Sequence, residues 1–280
     1  MQHVVSVAAM RESAARLRAG RQGLSLVPTM GALHAGHEAL IAAAVSAGQP
    51  VVVSIFVNPL AFGLNENMGT YPRSLEADLE LCEHLGVDAV FAPSVEEIYP
   101  KGYSTYVAEE TVSKHLCGAS RPTHFRGVTT LFAKLINIIG PDRIYLGQKD
   151  PQHVAVLRKM AVDLNYDVDF MVVPMVREHD GLPEGVRNRE LTNALRAEAL
   201  AISGALKVAR QMVESGVRNT DRLIAEATHL IRQHHRLRII YVSLVDSTTM
   251  EAVREVVPGR TLMCIAAWVD EVRLTDNTEL

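Results

Sequence analysis

Residues 26–41, LVPTMGALHAGHEALI, decide the fold because they join an apolar run to a helical pattern through a turn that contains glycine. The apolar run is typical of a buried strand, and the spacing of apolar residues after the turn is typical of a helix. His34 and His37 lie at this junction, three residues apart. If the helix begins near Ala35, the two imidazoles face roughly the same side. The stretch therefore predicts a strand–turn–helix unit that carries paired imidazoles at the carboxyl end of its strand.

The same alternation recurs through the first part of the chain. The β-rich runs lie at residues 24–28, 51–57, 89–92, 143–146 and 170–176. Helical apolar spacing lies between them, at residues 36–47, 74–85, 128–139 and 150–164. Strands that alternate with helices in this way predict a parallel α/β sheet. The sequence contains neither GxGxxG nor GxxxxGKS/T, so the common dinucleotide and kinase phosphate loops are not supported.

The pattern changes after residue 176. The segment REHDGLPEGVRN, residues 177–188, has turn residues and mixed charge, and two long helical patterns follow at about 190–215 and 220–234. Strands with a connecting helical stretch are expected in the remainder, within residues 237–277. The sequence thus predicts a parallel α/β domain over residues 1–176 and a small α+β domain over residues 177–280.

Composition limits the classes of function. The 28 basic and 32 acidic residues are spread along the chain and leave a net charge of −4, which indicates neither nucleic acid nor an anionic membrane as a partner. The three cysteines form no CxxC pair, which argues against a disulfide framework or structural zinc and favours a cytoplasmic protein. Because no run of about 18 apolar residues occurs, neither export nor membrane insertion is expected.

The histidine pair has a chemical interpretation. Parallel sheets bind ligands at the carboxyl ends of their strands, where helix N-termini favour anions. His34 and His37 could donate hydrogen bonds to phosphate oxygens there, and Gly31 and Gly36 would let the backbone approach a nucleotide. A two-histidine turn can equally be plain polar surface, and the spacing alone favours neither interpretation. A metal site is less attractive because no third ligand is in sight.

Other polar residues are expected at the same edge of the sheet. Lys149 lies between a strand and the helix that Asp150 and Pro151 begin, so its ammonium could pair with phosphate, or could form only a solvated ion pair. Asn58 follows a β run that Pro59 stops.

A basic cluster precedes a further helix. The segment RPTHFRGV contains Arg121, His124 and Arg126, which could hold a carboxylate or a phosphate, although arginines in loops are most often plain surface.

Taken together, several motifs resemble the pantoate–β-alanine ligase family of HIGH-motif nucleotidyltransferases. These motifs are PTMGALHAGH, SIFVNP, YPRSLEAD, RPTHFRGV, GPDRIYLGQKD, REHDGL and RN, and they extend over nearly the whole chain. The resemblance implies a Rossmann-like amino-terminal domain, a smaller carboxyl-terminal lid and a homodimer. It also implies a two-step reaction with Mg²⁺ and ATP, in which a small carboxylic acid becomes an acyl adenylate and an amine then displaces AMP.

The resemblance also implies roles for individual residues. The catalytic residues would be His34, His37 and Lys149. The nucleotide would be bound by Met30, Gly36, Gly147, Asp150 and Arg187. The acid or the amine would be bound by Pro28, Asn58, Ala61 and His153. No protein ligand for a metal is expected.

The sequence departs from the family pattern at the acid pocket and the lid. Ala61 and His153 stand where the family has glutamines, and Gly185 and Val186 stand where it has serines. The acid pocket is therefore expected to differ. Pantothenate synthesis with substitute contacts, a paralogue that uses another acid, a nucleotide-binding protein without ligase activity and an adenylyltransferase that forms no amide all remain open.

Overall fold

The computed structural model describes residues 1–20, 23–63 and 68–280. The chain forms two compact units, of which the first comprises Met1–Ser113 and Arg121–Pro174, and the second comprises Lys114–Ser120 and Met175–Leu280. The domain boundary after residue 176 stays a prediction. The grouping of Lys114–Ser120 with the carboxyl-terminal part had no signal in the sequence pattern.

The elements of the first unit alternate between strand and helix. The strands are β1 (Gln2–Val4), β2 (Ser25–Thr29), β3 (Val51–Ile55), β4 (Ala89–Phe91), β5 (Arg143–Gly147) and β6 (Asp169–Val173). The helices are α1 (Val7–Arg18), α2 (Ala35–Ser46), α3 (Leu75–His84), α4 (Val95–Ile98), α6 (His124–Ile139) and α7 (Pro151–Asp163), whereas α5 (Leu116–Ser120) belongs to the second unit.

Within the described residues these strands form one parallel sheet in the order β1-β4-β3-β2-β5-β6. The β-branched residues Val27 and Val53 lie fully buried in neighbouring strands, and Ile41 of α2 packs in the same apolar cluster. Burial of this apolar surface drives α2 against the sheet. The predicted parallel α/β fold is confirmed.

Helix α6 begins four residues before the predicted start at residue 128. The helical pattern was weak there because Gly127 has a low helix propensity. The structure explains this glycine: a Cβ at Gly127 would lie 2.2 Å from the carbonyl oxygen of Leu60 and 2.7 Å from the nitrogen of Ala61. Glycine therefore lets α6 lie directly on the short 3-10 turn Pro59–Ala61.

The second unit is an antiparallel sheet packed on two long helices. Its further elements are α8 (Asn193–Glu214), α9 (Thr220–Arg232), β7 (Leu237–Asp246), β8 (Thr261–Val269) and β9 (Val272–Glu279), and the strand order is β7-β8-β9. Leu206 and Leu223 from the helices share one apolar cluster with Leu244, Ile265 and Leu274 from the strands. The predicted α+β class of this part is confirmed.

The prediction of a connecting helix between the carboxyl-terminal strands is wrong. Residues 247–260 form turns and isolated bridges, among them a bridge between Val245 and Ala252. The carboxylate of Asp246 accepts hydrogen bonds from the backbone N–H groups of Thr248 and Thr249, 2.9 and 3.0 Å away. This local bonding competes with helix formation.

Helix α5 is tied to the sheet of the second unit by polar contacts. The sulfur of Cys117 lies 3.1 Å from the hydroxyl oxygen of Tyr241 in β7. The guanidinium of Arg273 in β9 donates to the hydroxyl of Ser120 at 3.2 Å. The residues before and after this segment in sequence belong to the first unit. The contacts explain why the segment itself packs in the second unit.

Candidate active site

Two neighbouring strands of the parallel sheet, β2 and β5, flank a switch point in the topology. From β2 the chain proceeds to β3 and β4 on one side, whereas β5 and β6 lie on the other side. The ladder between β2 and β5 pairs only Ser25 with Arg143 and Leu26 with Ile144, at the amino-terminal ends of the strands. The strands are thus unpaired toward their carboxyl ends, where open α/β sheets bind ligands.

The turn after β2 is held by a buried carboxylate for which the sequence motifs implied no role. Asp78 of α3 is 3% exposed and accepts hydrogen bonds at 2.9 Å from the backbone N–H groups of both Ala32 and Leu33. Gly31 and Ala32 have φ values of 80° and 52°, and left-handed backbone of this kind turns successive N–H groups toward one anion. The sequence signal for Asp78 was weak because acidic residues are common in the first turn of any helix.

His34 is the N-cap residue of α2, which begins at Ala35 as predicted. Its Nδ1 atom accepts a hydrogen bond from the backbone N–H of Gly36 at 3.1 Å. When the ring is neutral, its proton is therefore on Nε2. The ring centroids of His34 and His37 lie 4.1 Å apart, so the expected pairing of the two imidazoles is confirmed.

His37 is held as a neutral imidazole. Burial, together with smaller electrostatic contributions from His34 and Lys149, lowers its pKa from 6.5 to about 3. Its Nδ1 atom is buried and has no hydrogen-bond partner among the described residues. An unsatisfied buried nitrogen is costly unless a ligand completes its bonding, so His37 fits an incoming polar group.

Lys149 lies in the turn between β5 and α7, across the switch point from the histidine turn. It is close enough to His37 for its charge to lower the pKa of that ring. The structure thus brings the three predicted catalytic residues, His34, His37 and Lys149, to one edge of the sheet. A cation beside two N–H donors is suited to a polyanion such as a phosphate chain.

The residues predicted to bind the nucleotide in the first unit lie around this edge. Met30 directly follows β2, and Gly147 is the last residue of β5. The N–H of Gly36 is engaged by His34. Asp150 is the N-cap of α7, and its backbone carbonyl accepts from the N–H of His153 at 3.0 Å. Their roles toward a nucleotide stay predictions.

Among the residues predicted for the acid or the amine, Pro28 lies within β2 and Asn58 is 2% exposed. The side-chain amide of Asn58 donates to the carbonyl of Gly127 at 2.9 Å, and its oxygen accepts from the N–H of Leu60 and the hydroxyl of Tyr99 at 3.2 and 3.0 Å. These bonds join the end of β3 to α6. Asn58 therefore fixes the backbone of this region, whatever it contacts in a substrate.

His124, from the predicted basic cluster, contacts both the backbone of Ala61 and the side chain of His153. The carbonyl of Ala61 accepts from the guanidinium of Arg121 at 2.9 Å and bonds Nδ1 of His124 at 2.7 Å. Nε2 of His124 lies 3.1 Å from Nε2 of His153. Arg126 turns away from this group and stacks 4.1 Å from the ring centroid of Tyr106. The basic cluster is thus divided, and of its three members Arg121 and His124 join the residues predicted for the acid or the amine.

Arg187 lies in the second unit, in the short 3-10 helix Val186–Glu190 that follows the extended residue Gly185. The neighbouring Asn188 donates to the carboxylate of Glu178 at 2.6 Å and to the carbonyl of Pro183 at 2.8 Å. The guanidinium of Arg196 in α8 binds Glu178 as well, at 2.6 Å. The loop that carries Arg187 is thus braced by a charged network within its own unit.

Clusters of metal ligands and membrane-spanning helices do not occur among the described residues. Across residues 1–20, 23–63 and 68–280, no group of three or more His, Cys, Asp or Glu side chains could hold a metal ion. Within the same residues, no helix is long and apolar enough to cross a membrane.

A parallel sheet with ligand-facing side chains at its switch point defines the Rossmann-like class, and the pair of imidazoles beside Lys149 agrees with the HIGH-motif type that the resemblance implied. Within that class, a family model described as pantoate-beta-alanine ligase matches residues 2–279. The chain belongs to that family. The resemblance drawn from the sequence motifs, and the ligase class that it implied, are confirmed.

Relatives and solved structures agree with this assignment. A pantothenate synthetase from Pseudothermotoga lettingae is 47% identical over 92% of this chain and 91% of the relative, and one from Moorella thermoacetica is 45% identical over 100% and 99%. The crystal structure of pantothenate synthetase from Thermus thermophilus matches with a TM-score of 0.93 at 39% identity, covering 100% of this chain and 99% of that one. A pantoate-beta-alanine ligase from Francisella tularensis, complexed with beta-gamma ATP and beta-alanine, matches with a TM-score of 0.81 at 30% identity, covering 100% and 97%.

Proposed function

We propose that this chain joins pantoate to β-alanine with consumption of ATP, and releases pantothenate, AMP and pyrophosphate. The observation that carries the proposal is the cluster of His34, His37 and Lys149 at the switch point of the parallel sheet. Membership of the pantoate–β-alanine ligase family supports the substrates, and the complex of the Francisella ligase with beta-gamma ATP and beta-alanine supports the nucleotide and the amine.

In the first step, a carboxylate oxygen of pantoate attacks the α-phosphorus of ATP, and the bond to pyrophosphate breaks. Negative charge grows on the phosphate oxygens during this displacement. Lys149 offers a positive charge, and His34 offers the N–H of Nε2, because its Nδ1 accepts from Gly36. Neutral His37 adds a second imidazole donor without repelling Lys149. Donors fixed before the reaction stabilise such charge most effectively.

In the second step, the amine nitrogen of β-alanine attacks the carbonyl carbon of the adenylate, the bond to AMP breaks, and the nitrogen loses a proton. The chemistry requires no covalent nucleophile from the protein. Its contribution is to hold the two reactants together and to shield the adenylate from water. Pro28, Asn58, Ala61 and His153 are proposed to line the pocket of the acid or the amine.

Magnesium is proposed as the companion of ATP. Mg²⁺ commonly keeps several waters and binds substrate phosphates with one or two carboxylates, so it needs no cage of protein ligands. Bound Mg²⁺ would neutralise part of the triphosphate charge. Met30, Gly36, Gly147, Asp150 and Arg187 are proposed to contact the nucleotide itself.

A cytoplasmic homodimer is the proposed state of the protein, on the strength of the family resemblance. Sedimentation of the purified chain tests the oligomeric state. A monomer across micromolar concentrations would contradict the dimer.

A second candidate function, ligation of a different acid to an amine, is favoured by one observation. Ala61 and His153 replace both family glutamines, and His153 is bonded to His124. A pocket rebuilt in this way can change the acid while the phosphate side stays the same.

Release of pyrophosphate from ATP and Mg²⁺ tests the two candidates. Pantoate is compared with a panel of small carboxylic acids, each with and without β-alanine, and formation of the amide is followed by mass spectrometry. Turnover with pantoate, and AMP release that depends on β-alanine, would support pantothenate synthesis. Turnover with another acid alone would favour the second candidate. No pyrophosphate release with any acid would contradict both candidates.

A further inference from the structure

The loop that carries Arg187 closes on itself as a hairpin. Within residues 177–188, Arg177 and Pro183 form an antiparallel bridge, and the backbone N–H of Glu178 donates to the carbonyl of Leu182 at 2.8 Å. Because these backbone bonds join the two sides of the loop, side chains near its start can set the position of the residues at its end.

Glu178 is the centre of a side-chain network in this hairpin. Its Oε1 atom accepts from the side-chain amide of Asn188 at 2.6 Å, and its Oε2 atom accepts from the guanidinium of Arg196 at 2.6 Å. The same guanidinium donates to both carboxylate oxygens of Asp180, at 2.5 and 3.0 Å. Asn188 donates in addition to the carbonyl of Pro183 at 2.8 Å. One arginine of α8 thus holds two acidic residues near the start of the loop, and one of these holds its end.

The residues on both sides of Arg187 are anchored. Val186 and Asn188 are 8% and 7% exposed, whereas Arg187 between them is partly exposed. Val186 stands where the family pattern has a serine, and its burial makes it an anchor of the loop. The direction of the Arg187 side chain therefore depends on how firmly Asn188 is held.

We propose that Arg196 is a positioning residue that holds the backbone at Arg187 for a contact with the phosphates of ATP. It acts through Glu178 and Asn188. This inference rests on the proposed function, because it assumes that Arg187 contacts the nucleotide. A guanidinium binds phosphate with two parallel N–H groups in a narrow range of orientations, so a small shift of its backbone weakens the contact.

The two acidic partners explain why position 196 needs an arginine. A planar guanidinium presents several N–H groups in a fixed fork, whereas the ammonium of lysine is a point charge. Arg196 reaches Asp180 with Nε and Nη2, and it reaches Glu178 with Nη2. Lysine keeps the charge but cannot match this geometry. Arg196→Lys therefore separates positioning from charge.

Steady-state kinetics of charge-conserving variants test the proposal. The control is Arg210→Lys, because Arg210 also lies in α8 but donates to the hydroxyl of Thr278 in β9. Arg196→Lys is expected to raise KM for ATP by about 10-fold, while kcat and the KM values for pantoate and β-alanine change by less than about 3-fold. Arg210→Lys should leave all of these constants within about 3-fold of the wild type. A wild-type KM for ATP in Arg196→Lys would overturn the proposal.

Glu178→Gln tests the middle of the network with a sign that charge alone would reverse. The oxygen of a glutamine amide can accept from Asn188 or from Arg196, but its NH₂ group then faces the other donor. Removal of a negative charge would by itself favour ATP binding and lower KM. Positioning predicts the opposite, a rise in KM for ATP of about 10-fold. An unchanged or lowered KM for ATP would overturn the proposal.

The double variant with Arg196→Lys and Glu178→Gln tests whether the two residues act as one unit. Because each change breaks the same link, KM for ATP in the double variant should be no higher than in the more affected single variant. Two independent structural roles would multiply the effects. Multiplied effects would therefore overturn the proposal.

Binding of a non-hydrolysable ATP analogue, measured by calorimetry without pantoate, separates this inference from the proposed function. With Mg²⁺, β,γ-methylene ATP should bind the wild type and Arg210→Lys equally, and it should bind Arg196→Lys and Glu178→Gln about 10-fold more weakly. Equal binding by all four proteins would overturn the inference even if pantothenate is made. The expected loss of affinity in a chain that makes no pantothenate would support the inference and contradict the proposed function. No binding to the wild type would contradict both.

Discussion

The proposed phosphate side of the first unit, which is the turn with His34 and His37, and the proposed acid side, which is the group Ala61, His124 and His153, are held in different ways. On the phosphate side, backbone N–H groups of the turn after β2 bind the buried carboxylate of Asp78. On the acid side, side chains bind one another in a chain from Ala61 through His124 to His153. A backbone fixed by a buried charge tolerates few changes, whereas a side-chain network can be replaced residue by residue. This difference agrees with a histidine turn that keeps the family pattern and an acid pocket that departs from it.

The largest expected effect is a loss of stability when the close contact between Gly127 and the turn Pro59–Ala61 is disturbed. Gly127→Ala would place a Cβ 2.2 Å from the carbonyl oxygen of Leu60, so α6 or the turn must move. We expect a loss of unfolding free energy of about 3 kcal/mol or more, measured by chemical denaturation. Gly204→Ala is the matched control, because a Cβ at this helical position meets nothing within 4 Å. The control should gain up to about 1 kcal/mol. Equal stability of the two variants would contradict the close contact.

The next effect concerns charge on the phosphate side. Lys149→Gln removes the cation beside His37, and we expect adenylate formation, measured as pyrophosphate release in a single turnover, to slow by about 100-fold or more. Lys159→Gln, in the exposed ion pair with Asp163, is the control and should keep the wild-type rate. A wild-type rate in Lys149→Gln would remove this lysine from the mechanism.

The carboxylate that holds the turn gives a smaller effect. Asp78→Asn replaces one carboxylate oxygen with an N–H donor that faces a backbone N–H group of Ala32 or Leu33. We expect a loss of about 2 kcal/mol in unfolding free energy and a slower adenylation step, with little change in KM for pantoate. Glu76→Gln changes an exposed residue in the same helical turn and should leave the unfolding free energy and the adenylation rate unchanged. A raised KM for pantoate alone would show that Asp78 serves the acid side instead.

The smallest effect is a pH dependence of stability that belongs to the phosphate side. The pKa of His37 in the folded chain is about 3, below the ordinary 6.5, so the unfolded chain binds a proton between these values that the folded chain does not. Stability from this group is therefore present above pH 6.5 and is lost as pH falls toward 3. We expect a loss of about 1 to 2 kcal/mol by about pH 5.

Comparison of two histidine variants isolates this pH effect. His37→Gln should remove the loss, whereas His229→Gln, at an exposed position of α9, should retain it. Denaturation curves at several pH values between 5 and 8 provide the measurement. The same slope in wild type and His37→Gln would contradict a lowered pKa of His37 in the folded chain.

The central elements were predictable from local pattern, because their apolar periodicity and their turn residues agree. The start of α2 at Ala35 and the role of Pro151 at the start of α7 followed from local sequence alone. The start of α6 did not, because Gly127 has a low helix propensity and its reason is a contact with Leu60, which is far away in sequence. Local propensity cannot report a tertiary requirement of this kind.

The site was predictable to a similar extent. The proximity of His34, His37 and Lys149 was predictable because their motifs follow strand ends, and strand ends of a parallel sheet meet at one edge. Asp78 and the bond between His124 and His153 were not predicted, since they join residues 46 and 29 positions apart through side chains. The sequence also could not show that His37 is neutral, because burial, the main cause of its lowered pKa, exists only in the fold.

The short helix α5 has a consequence for the engineering of the protein. Its residues Cys117 and Ser120 contact Tyr241 and Arg273, so part of the second unit is encoded within the first. A gene fragment that begins at Met175 would omit this helix and leave those partners uncovered. The second unit is therefore no portable module, because its residues are discontinuous in the chain and a single exchanged segment cannot carry all of them.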